Sequence, residues 1–443
     1  MTATVISPAD NHVAAGAILE PTTVARTRRP RRGRRILTTG PAFVAAVAYV
    51  DPGNVATNVS AGSSYGLALL WVVVLATLMA APVQYLSSKL GTTTGRSLPE
   101  HIVGRMGRRG RAAFRLQAGL VAVATDVAEL VGAAVGLHLL FGTPLLLGCV
   151  IAAVVSLLVL QWRDRCGARG LEVLCVGTLL LMGAGLAAGL LPSLSGAGPV
   201  LHTVVPRLGD EEMLLLAVGI VGATIMPHAI YLHSGLSAER VRRPGTGSAG
   251  ADRPAACSAV GRTSITRQLK TTRWDVGAAM LAAGTVNIAL LALGAVALPS
   301  GVSADFVAVS DGIREGAGQL AGYGFGIALL ASGLTSSAVG AHAGSVMLTG
   351  LFDRRSGMLL RRMVTVLPAM ALLLVVDDPM RGLVLSQVVL ALGLPLALIP
   401  LVRLTSRRSV MGVHVDVRLT AAVAAVTAAV LALDAALIAF SVS

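Results

Sequence analysis

The run Asp51–Asn54 (Asp-Pro-Gly-Asn) places a carboxylate, a proline, a glycine and an amide inside an otherwise apolar stretch from Ile36 to about Leu70. An acid within a membrane helix costs roughly 2.5–3.5 kcal/mol, so such a residue marks a functional site. Pro52 donates no backbone hydrogen bond and Gly53 tolerates unusual dihedral angles, so we expect an unwound step with free carbonyls. These groups suit a cation. The alternative is a proline-kinked helix whose Asp51 faces an aqueous vestibule.

A second interruption, Met226-Pro227-His228, lies in a later apolar run and offers different ligands. Breaking the helix there frees the carbonyl of Ala223 and its neighbours, next to the Met226 thioether. Oxygen ligands alone suit Mg²⁺ or Ca²⁺. A thioether favours softer ions such as Mn²⁺, Fe²⁺, Co²⁺ or Cd²⁺. The alternative is that Met226 only packs.

Titratable side chains near these breaks predict proton chemistry. Asp126 and Glu129 are three residues apart and share a helix face. Buried acids of this kind form proton relays, or static ion pairs, for which Arg361 and Arg362 are the candidate partners. His228 follows the second break directly and is the better histidine candidate for the proton route. His233 lies on another face of the same helix and is a candidate secondary residue of the groove.

The elements that position these residues are membrane helices. The chain of 443 residues is 54% hydrophobic and only 13% charged, with a mean hydropathy of +0.76, whereas soluble domains carry about 25% charged residues. The pattern therefore predicts an all-α polytopic membrane protein with eleven transmembrane helices. The spans fall near residues 36–64, 67–88, 113–140, 145–162, 171–192, 212–238, 276–298, 322–350, 362–376, 382–402 and 418–441.

Composition also excludes several classes of protein. The net charge of +14 comes with only 3% aromatic residues and no basic stripe interleaved with them, which argues against nucleic-acid binding. The four cysteines lack the spacing of a zinc site or a disulfide framework. No His-Glu-x-x-His motif or comparable ligand pair supports a membrane metalloprotease, so we expect no enzyme and no permanently bound cofactor.

The basic residues predict the orientation in the membrane. With the N-terminus inside, 33 of the 36 Lys and Arg residues fall in the tail or in cytoplasmic connections. The Arg-rich segment 1–35 is then a disordered cytoplasmic tail, although it shares features with a twin-arginine signal. The segment 240–272 is rich in Gly, Pro, Ser, Ala and Arg and predicts a mobile cytoplasmic loop. The same distribution predicts that the C-terminus lies outside.

The two breaks lie in helices 1 and 6 and therefore occupy equivalent places five helices apart. An odd number of helices per half inverts the second half, and paired broken helices indicate the midplane site of a secondary transporter. We therefore expect a first repeat at 36–195, an inverted second repeat at 196–404 and an added helix at 405–443. Chance placement of the two prolines is the alternative.

Five stretches of the chain carry a family resemblance. They read GPAFVAAVAYVDPGNVATN, LLWVVVLATLMAAPVQYLSSKLG, ATDVAELVGAAVGLHLLFGTPL, GATIMPHAIYLHSGL and LSQVVLALGLPLAL. They are similar to successive signatures of the Nramp (natural resistance-associated macrophage protein) family, from about Gly40 to Arg403. This resemblance implies a LeuT-like fold and proton-coupled transport of divalent transition metals.

The resemblance also assigns roles to single residues. It implies that Asp51, Asn54, Met226 and the Ala223 carbonyl bind the ion, with Gln387 and Asn287 joining in some conformations. It further implies a proton pathway of Asp51, Asp126, Glu129, His228, Arg361 and Arg362. One departure is Ala229, where the family usually has Asn, which removes an amide beside the site.

The sequence thus predicts a proton-coupled symporter that imports Mn²⁺ or Fe²⁺ by alternating access. The expected partners are the metal ion, protons and the lipid bilayer of the plasma membrane, with the monomer as the functional unit. Two alternatives stay open: a Na⁺-coupled carrier of organic solutes with the same fold, and a passive divalent-metal channel. The ligand set does not rank Mn²⁺ against Fe²⁺.

Overall fold

The computed structural model describes residues 41–442 except 167, 194–206, 243–258, 298–304, 348–357 and 376–377. Within these residues all regular structure is helical. The predicted tail 1–35 lies outside the described residues, and so do residues 243–258 of the 240–272 segment.

The first part of the chain forms seven α-helices. They are α1 (Pro41–Val47, continued by a 3₁₀ turn, Ala48–Val50), α2 (Pro52–Tyr65), α3 (Leu70–Thr94), α4 (Leu98–Val103), α5 (Arg108–Phe141), α6 (Leu145–Cys166) and α7 (Ala168–Ser193). Helices α1 and α2 are the halves of predicted helix 1, and α4 is a short additional helix. The first break therefore falls at Asp51, as predicted.

The second part follows the same plan. Its helices are α8 (Glu211–Thr224), α9 (Pro227–Arg242), α10 (Ala259–Ala297), α11 (Phe306–Ala317), α12 (Gln319–Met347), α13 (Met358–Val375), α14 (Pro379–Thr405), α15 (Arg408–Met411) and α16 (Val417–Val442). Helices α8 and α9 are the halves of predicted helix 6, broken at Ile225 and Met226.

The predicted fold class is confirmed. Each of the eleven predicted spans coincides with a helix or a broken pair of helices. Among the described residues, eight spans are long and apolar enough to cross a membrane, with α8 and α9 counted as one. Two shorter apolar stretches, Leu145–Val159 and Val366–Val375, correspond to predicted helices 4 and 9.

Two boundaries differ from the sequence prediction. Helix α10 begins at Ala259 rather than near Val276, because the stretch Thr266–Arg273 has good helix formers and can extend the helix beyond the bilayer. Helix α11 was not predicted, because it is amphipathic and too short to span a membrane. Its Asp305 caps the helix and its Phe306 and Ile313 are buried.

Small residues let the backbone of α2 approach α10 closely. A Cβ at Gly62 would overlap the Leu291 carbonyl, and a Cβ at Gly294 would overlap the backbone of Val59. Membrane helices pack through such small residues because apolar burial gives no net drive in lipid. This contact fixes the half helix that carries Asn54 against the helix that carries Asn287.

A polar contact joins α4 to the C-terminal end of α9. The Glu100 carboxylate accepts a 2.7 Å hydrogen bond from Arg242, and Ser97 and Glu100 form a capping box. Burial opposes ionisation of Glu100, but the hydrogen bonds from Arg242 and Ser97 outweigh it and lower the pKa of this carboxyl. The contact is therefore complete at neutral pH and weakens only when acid protonates Glu100.

Candidate metal-binding site

The first break is held open by its own side chains. Asp51 adopts extended angles (φ −75°, ψ 169°) and caps α2. Its Oδ1 accepts two hydrogen bonds from Asn54, one from the backbone nitrogen at 2.8 Å and one from the side-chain Nδ2 at 2.9 Å. A carboxylate is favoured at a helix N-terminus, which explains why the chain can restart a helix at Pro52. Asp51 is 1% exposed, so the carboxylate lies inside the protein.

The second break lies directly against the first. Helix α8 ends at Thr224, Ile225 leaves the helical region (φ −113°, ψ 64°), and α9 restarts at Pro227. Asn54 Nδ2 donates a 2.8 Å hydrogen bond to the Ala223 carbonyl, which joins the two breaks. Met226 is fully buried between the two half helices, and its carbonyl accepts from the Ile230 amide at 3.2 Å.

Two further predicted ligands adjoin the breaks. Gln387 of α14 lies so close to Gly53 that a Cβ there would overlap its amide group. Its backbone carbonyl faces Gly222, beside Ala223. Asn287 of α10 donates a 3.1 Å hydrogen bond from Nδ2 to the carbonyl of Tyr49, two residues before Asp51. Both side chains are buried.

The unpaired atoms on the predicted ligands are all acceptors. Among the described residues, four oxygens on these predicted ligands are buried without a hydrogen-bond partner: Asp51 Oδ2, Asn54 Oδ1, Asn287 Oδ1 and Gln387 Oε1. Buried acceptors without a donor fit a cation. The described residues contain no group of three or more His, Cys, Asp or Glu side chains that could hold a metal. A cation here would therefore have one carboxylate, amide and backbone oxygens, and the Met226 sulfur.

Two of the predicted proton residues, Asp126 and Glu129, lie on α5, and a third, His228, contacts this helix. His228 Nδ1 is 3.0 Å from Thr125 Oγ1, next to Asp126, so the second break contacts α5 here. Asp126 and Glu129 are both buried, and the Glu129 carboxylate lies against Gly340 of α12. The side chains of Arg361 and Arg362 lie outside the described residues.

His233 belongs to a different contact. Its Nδ1 is 2.8 Å from Gln84 Oε1, and Gln84 Nε2 donates to the Tyr49 hydroxyl. These three buried side chains connect α9, α3 and the turn before Asp51. Tyr49 and Gln84 are functional candidates that were not predicted from the sequence, although both are polar groups within apolar runs and therefore candidates for a buried contact.

The close contact of Gly53 with Gln387 makes a testable prediction. In Gly53→Ala the new methyl group displaces the flexible Gln387 amide, so the variant should fold and lose this oxygen from the site. We expect the KM for metal uptake to rise by about 5–30-fold in Gly53→Ala and in Gln387→Ala. The double variant should be no worse than either single one. Gly277→Ala, which meets open space, is the control; additive losses would contradict the shared cause.

These features define a class: a polytopic helical membrane protein of LeuT-like fold, with two broken helices that meet at a buried set of cation ligands. The closed-conformation structure of Mhp1, a nucleobase-cation-symport-1 family transporter, superimposes with a TM-score of 0.55 over 83% of this chain and 78% of that one, at 17% identity. That likeness shows the fold alone. The chain belongs to the Nramp family, since residues 42–440 match the family described as natural resistance-associated macrophage protein-like.

Named relatives and solved structures agree with this assignment. The divalent metal cation transporter MntH of Mycobacterium tuberculosis is 47% identical over 382 residues, 86% of each chain. The protein of the same name from Yersinia pestis is 40% identical over 89% of this chain and 92% of its own length. Crystal structures of a manganese transporter from Eremococcus coleocola match with a TM-score of 0.74 at 29% identity, over 90% of this chain and 86% of that one.

Proposed function

We propose that this protein is a transporter rather than an enzyme, and that it imports divalent transition metals, Mn²⁺ or Fe²⁺, together with protons. The observation that carries the proposal is the set of acceptor oxygens around Asp51 that have no hydrogen-bond partner in the described part of the chain, beside the buried Met226. Oxygen ligands with one thioether suit borderline divalent metals better than Mg²⁺ or Ca²⁺. The names of the relatives support a divalent metal, and manganese in particular.

The substrate ligands are Asp51, Asn54, the Ala223 carbonyl and Met226, with Gln387 and Asn287 completing the shell. Asp51 supplies the one negative charge, and Asn54 holds the two breaks in register through the Ala223 carbonyl. Desolvating a divalent ion requires several such oxygens at once, which neither half helix provides alone. The site therefore forms where the two breaks meet.

The burial of the site supports transport by alternating access. The α1 segment packs inside the protein, and Tyr49, Gln84 and His233 bridge it to α3 and α9. With the N-terminus inside, this bridge closes the cytoplasmic route from the ion site. Release to the cytoplasm then requires α1 and α9 to separate from α3, which opens the bridge and exposes Asp51.

For the protons we propose a route along α5. Asp51 is the shared residue, since the same carboxylate binds metal only when it is ionised. His228 contacts α5 at Thr125, and the proposed route continues along α5 through Asp126 and Glu129 to α13, the helix that carries Arg361 and Arg362 and packs against α5. Metal and proton would therefore leave the site by different sides of the second break.

Proteoliposomes loaded with a pH-sensitive dye test this function directly. External Mn²⁺ should enter and acidify the lumen, without a requirement for Na⁺. Glu129→Gln should weaken the acidification more than the metal flux, because Glu129 is a titratable group of the proposed proton route and is not itself a proposed metal ligand. Asp305→Asn, an exposed cap of α11, is the control. Metal flux without acidification would indicate a channel, and amino-acid-dependent Na⁺ flux would indicate the organic-solute carrier.

The same preparation tests the remaining proposals. A competition panel of Mn²⁺, Fe²⁺, Co²⁺ and Cd²⁺ ranks the substrates, and the molar mass in detergent tests the functional monomer. Labelling of single cysteines from each side of the membrane tests the orientation. The distribution of Lys and Arg predicts a cytoplasmic N-terminus and an external C-terminus in the plasma membrane. The tail 1–35, the two repeats 36–195 and 196–404 and the helix 405–443 stand as the proposed domains.

A further inference from the structure

The N-terminal end of α5 and the turn before it carry a concentration of positive charge that we call the α5 arginine patch. Its five members lie within eleven residues, and all are exposed: Arg105, Arg108, Arg109, Arg111 and Arg115. The chain has no acidic residue between Glu100 and Asp126. Glu100 is itself held by Arg242, and no arginine of the patch forms an ion pair with a residue that the structure describes. The charge of the patch is therefore not neutralised within the described part of the protein.

The length of α5 indicates where the patch lies relative to a membrane. Helix α5 has 34 residues and is therefore about 51 Å long, whereas the hydrocarbon core of a bilayer is about 30 Å thick. Between Leu116 and Phe141 the only Asp, Glu, Lys or Arg residues are Asp126 and Glu129, and both are buried. This stretch can cross the hydrocarbon core. The excess length of the helix then lies at the arginine end and places Arg115 at the level of the lipid headgroups.

The patch continues directly into a surface of α5 that is exposed and apolar. At about 100° per residue, Arg108, Arg111 and Arg115 lie within about 60° of one another around the helix axis. Leu116 and Leu120, which are 67% and 56% exposed, follow on the membrane side. The exposed surface of this helix end therefore presents guanidinium groups first and apolar side chains next, in the order in which a phospholipid presents its phosphate and its acyl chains.

The chemistry of the patch suits a phosphate group. A planar guanidinium donates two parallel hydrogen bonds to phosphate oxygens and is more weakly hydrated than the ammonium group of lysine. The segment 101–125 contains arginines and no lysine. The Nε of Arg111 donates a 3.0 Å hydrogen bond to the Met106 carbonyl, which orients its guanidinium group. Neighbouring positive charges repel one another, and an anion bound among them relieves that repulsion.

We propose that the α5 arginine patch binds an anionic phospholipid, with the phosphate at Arg108, Arg111 and Arg115 and an acyl chain along Leu116 and Leu120. The charge selects an anion, and the adjoining apolar surface selects a lipid, because a soluble phosphate gains nothing from the leucines. Each basic residue near an anionic membrane surface contributes about 1 kcal/mol, which is about fivefold in affinity. In the proposed orientation this lipid belongs to the cytoplasmic leaflet. The site goes beyond the proposed transport function and does not depend on it.

Native mass spectrometry of the intact chain in detergent tests the choice of lipid. Phosphatidylglycerol and phosphatidylcholine with identical acyl chains are added in equal amounts, so that only the headgroups differ. We expect the wild type to retain phosphatidylglycerol about tenfold or more over phosphatidylcholine, with a smaller preference as ammonium acetate screens the charges. Equal retention of the two lipids would overturn the proposal. Displacement of phosphatidylglycerol by millimolar glycerol 3-phosphate would show a site for soluble phosphates and would overturn it as well.

Substitution tests the location of the site. A triple variant, Arg108→Gln/Arg111→Gln/Arg115→Gln, should lower the preference for phosphatidylglycerol by roughly tenfold or more. Lys at the same three positions keeps the charge and should restore most of the preference. The matched control removes three other exposed arginines, near the end of α14, and should bind as the wild type does: Arg403→Gln/Arg407→Gln/Arg408→Gln.

Two results with these variants would contradict the proposal. Equal losses in the two Gln triples would show a general attraction between a basic protein and an anionic lipid, without a site on α5. Failure of the Lys triple to restore the preference would show that the loss comes from altered structure rather than from lost charge.

Discussion

Asp51→Asn lowers Mn²⁺ uptake by roughly 100-fold or more, because removing one partner of a buried charge pair costs about 3 kcal/mol or above. This substitution removes the charge of Asp51 but keeps the helix cap. Asparagine caps a helix as well as aspartate does, so the introduced amide oxygen still accepts from the Asn54 amide nitrogen and α2 still begins at Pro52. Only the negative charge and one unpartnered oxygen are lost, and the site is left with neutral ligands.

The measurement is initial-rate Mn²⁺ uptake into proteoliposomes, with isothermal titration of Mn²⁺ on the detergent-purified protein beside it. Asp434→Asn is the matched control, because Asp434 is another buried acid in a membrane helix, on α16 outside the two broken helices. It should transport at the wild-type rate. Appreciable uptake by Asp51→Asn, or weakened Mn²⁺ binding in the Asp434 variant alone, would refute the assignment of the site.

Much of the fold could be predicted from the sequence because membrane helices impose strong constraints. A helix in lipid must be long, apolar and hydrogen-bonded within itself, so an acid beside a proline stands out against that background. Asp51-Pro52 and Met226-Pro227 violate the pattern at equivalent places, and both breaks occur at these residues in the structure.

Other features depend on contacts between distant segments, which no local pattern contains. The bond from Asn54 to the Ala223 carbonyl spans 169 positions, and Asn287 reaches Tyr49 across 238. Nothing in the local sequence distinguishes Gln84 from other polar residues, and its role is visible only because it lies between Tyr49 and His233 in the structure. Helix α11 was not predicted for another reason. It is a short amphipathic segment, so it lacks the long apolar run that identifies a membrane helix.

The second large effect is expected at Met226, where selectivity rather than activity should change. The thioether is the only soft donor among the proposed ligands, so it favours Cd²⁺ and Mn²⁺ over Ca²⁺ and Mg²⁺. In Met226→Ala the vacated space admits water, a hard ligand that all four ions accept. We expect the discrimination between Cd²⁺ and Ca²⁺ to fall by about tenfold or more, which corresponds to about 1.4 kcal/mol, while some metal transport persists.

Competition of Ca²⁺ against Cd²⁺ and Mn²⁺ uptake in proteoliposomes measures this change. Truncating a buried methionine also leaves a cavity, which costs about 2–5 kcal/mol of stability wherever it occurs. Met182→Ala is therefore the matched control, since Met182 is equally buried but lies on α7, away from both breaks. It should lower Tm to a similar degree and leave selectivity intact. If Met226→Ala instead keeps the wild-type preference, the thioether is a packing group, and the preference for transition metals must come from the geometry of the oxygen ligands around Asp51.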